Sequence, residues 1–167
     1  MLSRRNFLIY SSIAAASASI AAGLHVYQWW DTPAEAPYIH LNKREAQIIQ
    51  CLAKAAFPSG STSDLDGEQA QLDRFFDRFL DQLQHQNRTL LKMLIQATDR
   101  ITFPSHRSYF TDIPTQEQQK IIEGLLGSDQ HLIRAAYLSL IAILGMGYST
   151  HPQISEMLSE LHRCGYG

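Results

Sequence analysis

The side chains able to do chemistry in this chain are few, and their spacing is unhelpful to most chemistries. Seven histidines stand at His25, His40, His85, His106, His131, His151 and His162. No two are four residues apart, so no helix face offers the paired imidazoles of a zinc site. Cys51 and Cys164 are too distant in sequence to suggest an iron–sulfur ligand set, and no C-x-x-C-H marks a c-type haem. A nucleophile elbow of the form G-x-S-x-G is missing, as is the G-x-G-x-x-G of a dinucleotide fold. The expectation is a protein with no catalytic residues, metal or cofactor of its own.

The most specific motif concerns recognition rather than catalysis. Ser3, Arg4, Arg5, Asn6, Phe7 and Leu8 spell S-R-R-N-F-L, the pattern of a bacterial twin-arginine export signal, and no residue from Phe7 to Leu24 is charged. The expected reader of this pattern is the twin-arginine translocase, and the expected destination is the periplasm. Ala16-Ser17-Ala18 and Ile20-Ala21-Ala22 both offer small residues to a signal peptidase. The apolar run nevertheless continues to Trp29 and Trp30. Phe7 to Trp30 is long enough to cross about 30 Å of hydrocarbon as a helix. In that case Arg4 and Arg5 would sit inside and the tryptophans at the outer interface. Residues 1–30 are thus a cleaved signal or a retained membrane anchor, with the Ala and Ser content favouring cleavage. The twin-arginine route carries proteins that are already folded, often around a cofactor, and this chain offers no cofactor site to explain its use.

The elements behind the signal read as helices. Residues 31–41, with Pro33 and Pro37, form an expected extended linker. Asn42 with Glu45 makes a capping box ahead of a helix through Ile48, Ile49 and Leu52 that stops at Phe57-Pro58. Leu72, Phe75, Phe76, Phe79, Leu80 and Leu83 recur at helical spacing, with Asp73, Arg74, Asp77, Arg78 and Asp81 facing away as an expected solvated or partner-facing surface. The three phenylalanines read as core, since each contributes about 2 kcal/mol by leaving water. A further helix carries Leu90 to Ile101 and ends near Phe103-Pro104. The next takes Thr115 as its cap and Gly127 as its stop. From Leu132 to Met146 the apolar residues surround the axis, as in a helix buried at the centre of a bundle or under a partner. Gly145 and Gly147 then loosen the backbone before a last helix through Ile154 to Leu161. No stretch alternates at period two. The expected fold is all-α, a compact bundle of about five to six helices over residues 42–167, preceded by an export-signal helix.

Composition agrees with one ordinary globular domain: 45% of residues are hydrophobic, 18% are charged and the formal net charge is -2. No basic stripe is left for nucleic acid.

Taken together, these stretches resemble the gluconate 2-dehydrogenase subunit 3 family. The likeness runs from S-R-R-N-F-L through Leu41-Asn42-Lys43-Arg44-Glu45 to Phe57-Pro58, then Leu72 to Leu83. It continues with Tyr109-Phe110-Thr111-Asp112-Ile113, Gln116 to Leu126, Leu140 to Gly147 and Tyr148-Ser149-Thr150-His151-Pro152. It departs where Ser59 to Asp64 replaces the family's glycine-rich acidic loop. The resemblance implies a small accessory subunit of a periplasmic, membrane-associated sugar or polyol dehydrogenase. It implies a large FAD-dependent partner of the glucose-methanol-choline oxidoreductase family, often completed by a cytochrome c subunit, with the FAD in that partner. It transfers no catalytic residues to this chain.

Two other classes stay open. One is an independent periplasmic enzyme or ligand binder built on the His106–Tyr109 and Tyr148–His151 loops. The other is a structural adaptor held by an uncleaved N-terminal helix. Cys164, near the C-terminus, has three fates in an oxidising compartment: an idle thiol, an internal bridge to Cys51, or a disulfide to the catalytic partner. Cys51 lies within an apolar helix, where a thiol packs as a small hydrophobe.

Overall fold

The structure, a computed structural model, describes residues 32–60 and 64–163, with side chains through 159. The chain separates into two units, Met1–Pro33 and Ala34–Gly167. The expected export helix, with Ser3, Arg4, Arg5, Asn6, Phe7 and Leu8, lies outside the described residues, and so does Cys164. Among the described residues the second unit is all-helical. Its six longer helices are α1 (Lys43–Ala56), α2 (Leu72–Asp81), α3 (His85–Ile101), α4 (Thr115–Leu126), α5 (His131–Ser149) and α6 (Pro152–Arg163). A single helical turn, Phe103–His106, and a 3-10 turn, Phe110–Asp112, join α3 to α4.

Helix α1 starts where the sequence places it. Glu45 N donates to Asn42 Oδ1 at 2.8 Å and Asn42 N donates to Glu45 Oε2 at 3.1 Å, so two otherwise orphaned amides are satisfied reciprocally. It ends at Phe57, ahead of Pro58. Ile48, Ile49, Leu52 and Ala53 are fully buried, and α2, α3 and α4 all pack on α1. The middle of the bundle is therefore α1, not the more apolar α5. Small residues explain the exchange: Ala46, Ala53 and Ala55 let neighbours approach closely. At Gly67 a Cβ would lie 2.2 Å from the Ala53 carbonyl oxygen, so only glycine lets the returning loop cross here.

Helix α2 differs from the simple amphipathic reading. Phe76 is fully buried beside Leu72 and Leu80, whereas Phe75 and Phe79 are half-buried. Asp73 and Asp77, expected to face away from the core, are buried at 4% exposure each, while Arg74 and Arg78 are exposed. Two of the three acids on this helix are thus turned inward, while Asp81 stays exposed with the two arginines.

Two smaller expectations also change. Thr115 is the first helical residue of α4 rather than its cap; Pro114, extended at φ -59 and ψ 146, takes the cap position without a side-chain bond. Pro needs no amide partner there, and its ring presets the backbone entering the helix. Gly145 and Gly147 do not break α5, which runs on to Ser149. Gly147 instead makes room for a neighbour, because a Cβ there would meet the Phe75 ring at 2.4 Å.

Helix α5 packs on α2 and α4 through Tyr137, Leu140, Leu144 and Gly147. It is the one helix among the described residues long and apolar enough to cross a membrane, yet only 22% of its apolar window is buried. Leu132, Leu138, Ala142 and Met146 lie on the far side and are exposed, Leu132 at 83%. The half turned inward is core, and the half turned outward is apolar surface.

Candidate functional site

Three groups of side chains stand out. The first ties the segment ahead of α1 to α2. One carboxylate, Asp77, accepts three successive backbone amides: Ile39 N at 2.8 Å, His40 N at 2.9 Å and Leu41 N at 3.0 Å. A buried carboxylate is tolerated when its lone pairs are filled in this way. Tyr38 donates its phenol to Asp73 Oδ2 at 2.5 Å, and Gln50 Nε2 donates to the same oxygen at 3.2 Å. Burial, reinforced by the bond to Asp73, pushes the Tyr38 phenol up to about 12. Below these, His40 is clamped from both ring nitrogens. Arg88 Nη1 lies 3.2 Å from His40 Nδ1, and His40 Nε2 lies 2.8 Å from Asp81 Oδ1. A guanidinium can only donate, so Nδ1 accepts and the proton sits on Nε2, facing the carboxylate.

The same style of satisfaction continues on the other side of α1. Glu45, 1% exposed, meets Lys92 Nζ at 3.2 Å and accepts from Gln96 Nε2 at 2.7 Å. Asp99 takes Arg44 Nη2 at 2.8 Å together with the amide and hydroxyl of Thr111. Lone buried charges would be costly; these are paired and hydrogen-bonded, so they fix the register of α1 against α3.

The second group is an exposed aromatic patch. The Phe103 and Tyr109 rings are 5.7 Å apart, and Arg44 sits over Tyr109 at 5.3 Å. Ser105 Oγ and His106 Nδ1 are 2.8 Å apart here, a pairing not anticipated from the sequence. It is an exposed contact between chain neighbours, and no carboxylate orients the imidazole among the described residues. A nucleophile so placed has neither a set base nor a protected acyl site.

The third group lines a cleft of about 630 Å³ between the segment Pro37–Ile39, the start of α2, and the α5–α6 junction. Arg74 and Arg78 stand one turn apart on its wall, with Gln71, Thr150 and His151 around them. Gln71 leads into α2 with φ 52, a left-handed conformation unusual for glutamine. The floor is the contact of Gly147 with Phe75. Arg74 and Arg78 make no ion pair or side-chain hydrogen bond among the described residues, and His151 Nδ1 is buried with no hydrogen-bond partner. Of the two loops singled out in the sequence, Tyr148–His151 contributes to this cleft and His106–Tyr109 does not.

Among the described residues no group of three or more His, Cys, Asp or Glu could hold a metal ion. Cys51 is half-buried in α1, and burial pushes its thiol up, away from the reactive thiolate. Three surface features therefore stand out: a cleft with two arginines on its wall, an aromatic patch and the apolar outer face of α5. Comparison with protein-family models, curated proteins and solved structures finds no match for this chain.

Proposed function

We propose that this chain is a non-catalytic small subunit. It escorts a folded flavin-dependent dehydrogenase through the twin-arginine route and stabilises it in the periplasm. The partner is a large FAD-dependent subunit of the glucose-methanol-choline type, with a cytochrome c subunit completing the complex where one is present. The observation that carries this reading is the coupling of S-R-R-N-F-L, at Ser3 to Leu8, to a helical body whose α5 exposes Leu132, Leu138 and Met146. Export of a folded cargo needs an address and an adhesive surface, and an extended apolar face fits the second need. The polar groups around α1 support the same reading, since they are spent on holding the body together.

The test separates export from folding. Arg4→Lys with Arg5→Lys leaves every side chain of the helical body unchanged. We expect both this protein and the dehydrogenase activity to stay in the cytoplasmic fraction of cells carrying the double variant. Normal periplasmic activity in those cells would overturn the escort function.

A further inference from the structure

The cleft beside α2 has a chemistry that the escort reading does not use. Sequence spacing alone would let Arg74 and Arg78 pair with Asp77 and Asp81 along their own helix. The structure sends those acids elsewhere: Asp77 to three backbone amides, and Asp81 to His40. Asp73 is engaged by Tyr38 and Gln50. Two guanidiniums four residues apart are left together without a counter-ion, a like-charge arrangement that is unfavourable on a helix. They share the cleft with His151, whose Nδ1 is buried and lacks a partner. Buried polar atoms are rarely left so. A volume of about 630 Å³ falls in the range of small-molecule sites.

We infer that this cleft binds a small molecule carrying an oxyanion, a phosphate or a carboxylate, clamped between Arg74 and Arg78. The planar guanidinium forks suit either group, because each presents parallel N–H donors to two oxygens. The anion removes the repulsion between the arginines. Asp77 does not oppose it strongly, since its oxygens are turned to the Ile39, His40 and Leu41 amides.

The test is calorimetric titration of the full chain at low ionic strength, with inorganic phosphate in one arm and succinate in the other. Saturable binding of phosphate alone marks a phosphoryl site, and of succinate alone a carboxylate site; binding of both marks a general oxyanion site. In any of these cases Arg74→Gln with Arg78→Gln should weaken binding by about tenfold or more, since two charge-assisted contacts are lost. The charge-matched Lys43→Gln with Lys120→Gln, at exposed positions that do not line the cleft, should bind as the parent does. Melting temperatures of both variants report that the fold is intact. No saturable binding in either arm would overturn the inference, as would equal weakening in both variants, which would signify attraction by net charge. The inference stands apart from export, so retention or loss of the escort function leaves it unaffected.

Discussion

Alkaline pH should be felt at Tyr38. Its phenol is held at about 12 in the fold, against an ordinary value of 10.0. The folded chain therefore keeps a proton that the unfolded chain releases. The stabilisation is fully present below about pH 10 and is lost as pH climbs toward 12. Burial pushes the Tyr137 phenol and the Cys51 thiol in the same direction, so Tyr38 does not carry the slope alone. Tyr38→Phe should flatten the fall of melting temperature between about pH 10 and pH 12 without abolishing it. An unchanged slope would mean that Tyr38 titrates freely in the folded state. The residues legible from sequence were those bonded locally: Asn42 and Glu45, three apart, announced their own cap. Asp73 and Asp77 were not legible, because their partners are Tyr38 and the amides of Ile39 to Leu41, on a segment that sequence pattern treats as a linker.

Among the elements, the contact between α5 and α2 hangs on one missing methyl. A Cβ at Gly147 would enter the Phe75 ring, so Gly147→Ala should cost on the order of 1–3 kcal/mol through overpacking. For a domain of this size that lowers the melting temperature by several degrees. Phe75→Leu in the same chain should restore part of it, and failure of the second substitution to help would place the cost elsewhere. Helix positions followed from the three-and-four recurrence of apolar residues and from Pro58 and Gly127. The role of Gly147 did not follow, because a glycine in an apolar run looks like a weak point until the ring that fills its place is known. The cleft was hidden for a related reason. Its walls come from Gln69–Arg78 and Gly147–Pro152, stretches that meet only in the folded body.

For the whole molecule, the governing imbalance is that the most apolar helix among the described residues is not the most buried one. Residues on the far side of α5, among them Leu132, Leu138 and Met146, are open to solvent. Produced alone, the chain should bind a hydrophobic dye or aggregate. Leu138→Glu with Met146→Glu should suppress the dye signal and, under the escort proposal, release the proposed dehydrogenase in co-purification, with little change in melting temperature since neither residue is buried. A dye-silent, monodisperse parent chain would remove the case for an obligate interface. The all-round apolar pattern of α5 was evident in the sequence, but pattern alone could not say which half is core. Small residues on α1 decided that by drawing α2, α3 and α4 onto it.

The three amides of Ile39, His40 and Leu41 gripped by Asp77 also define a load path. Tension applied to the chain ahead of Glu35 meets first the bond of the Glu35 amide to the Leu41 carbonyl and the Glu35–Lys43 ion pair, and then this clamp. Three bonds converging on one carboxylate share that pull rather than yielding one after another, and the carboxylate is rooted in the middle of α2. A tug on the leading segment is thereby delivered to the body as a whole, with the capping box of α1 sheltered behind the clamp. Such a clamp is reinforced against peeling from the leading end.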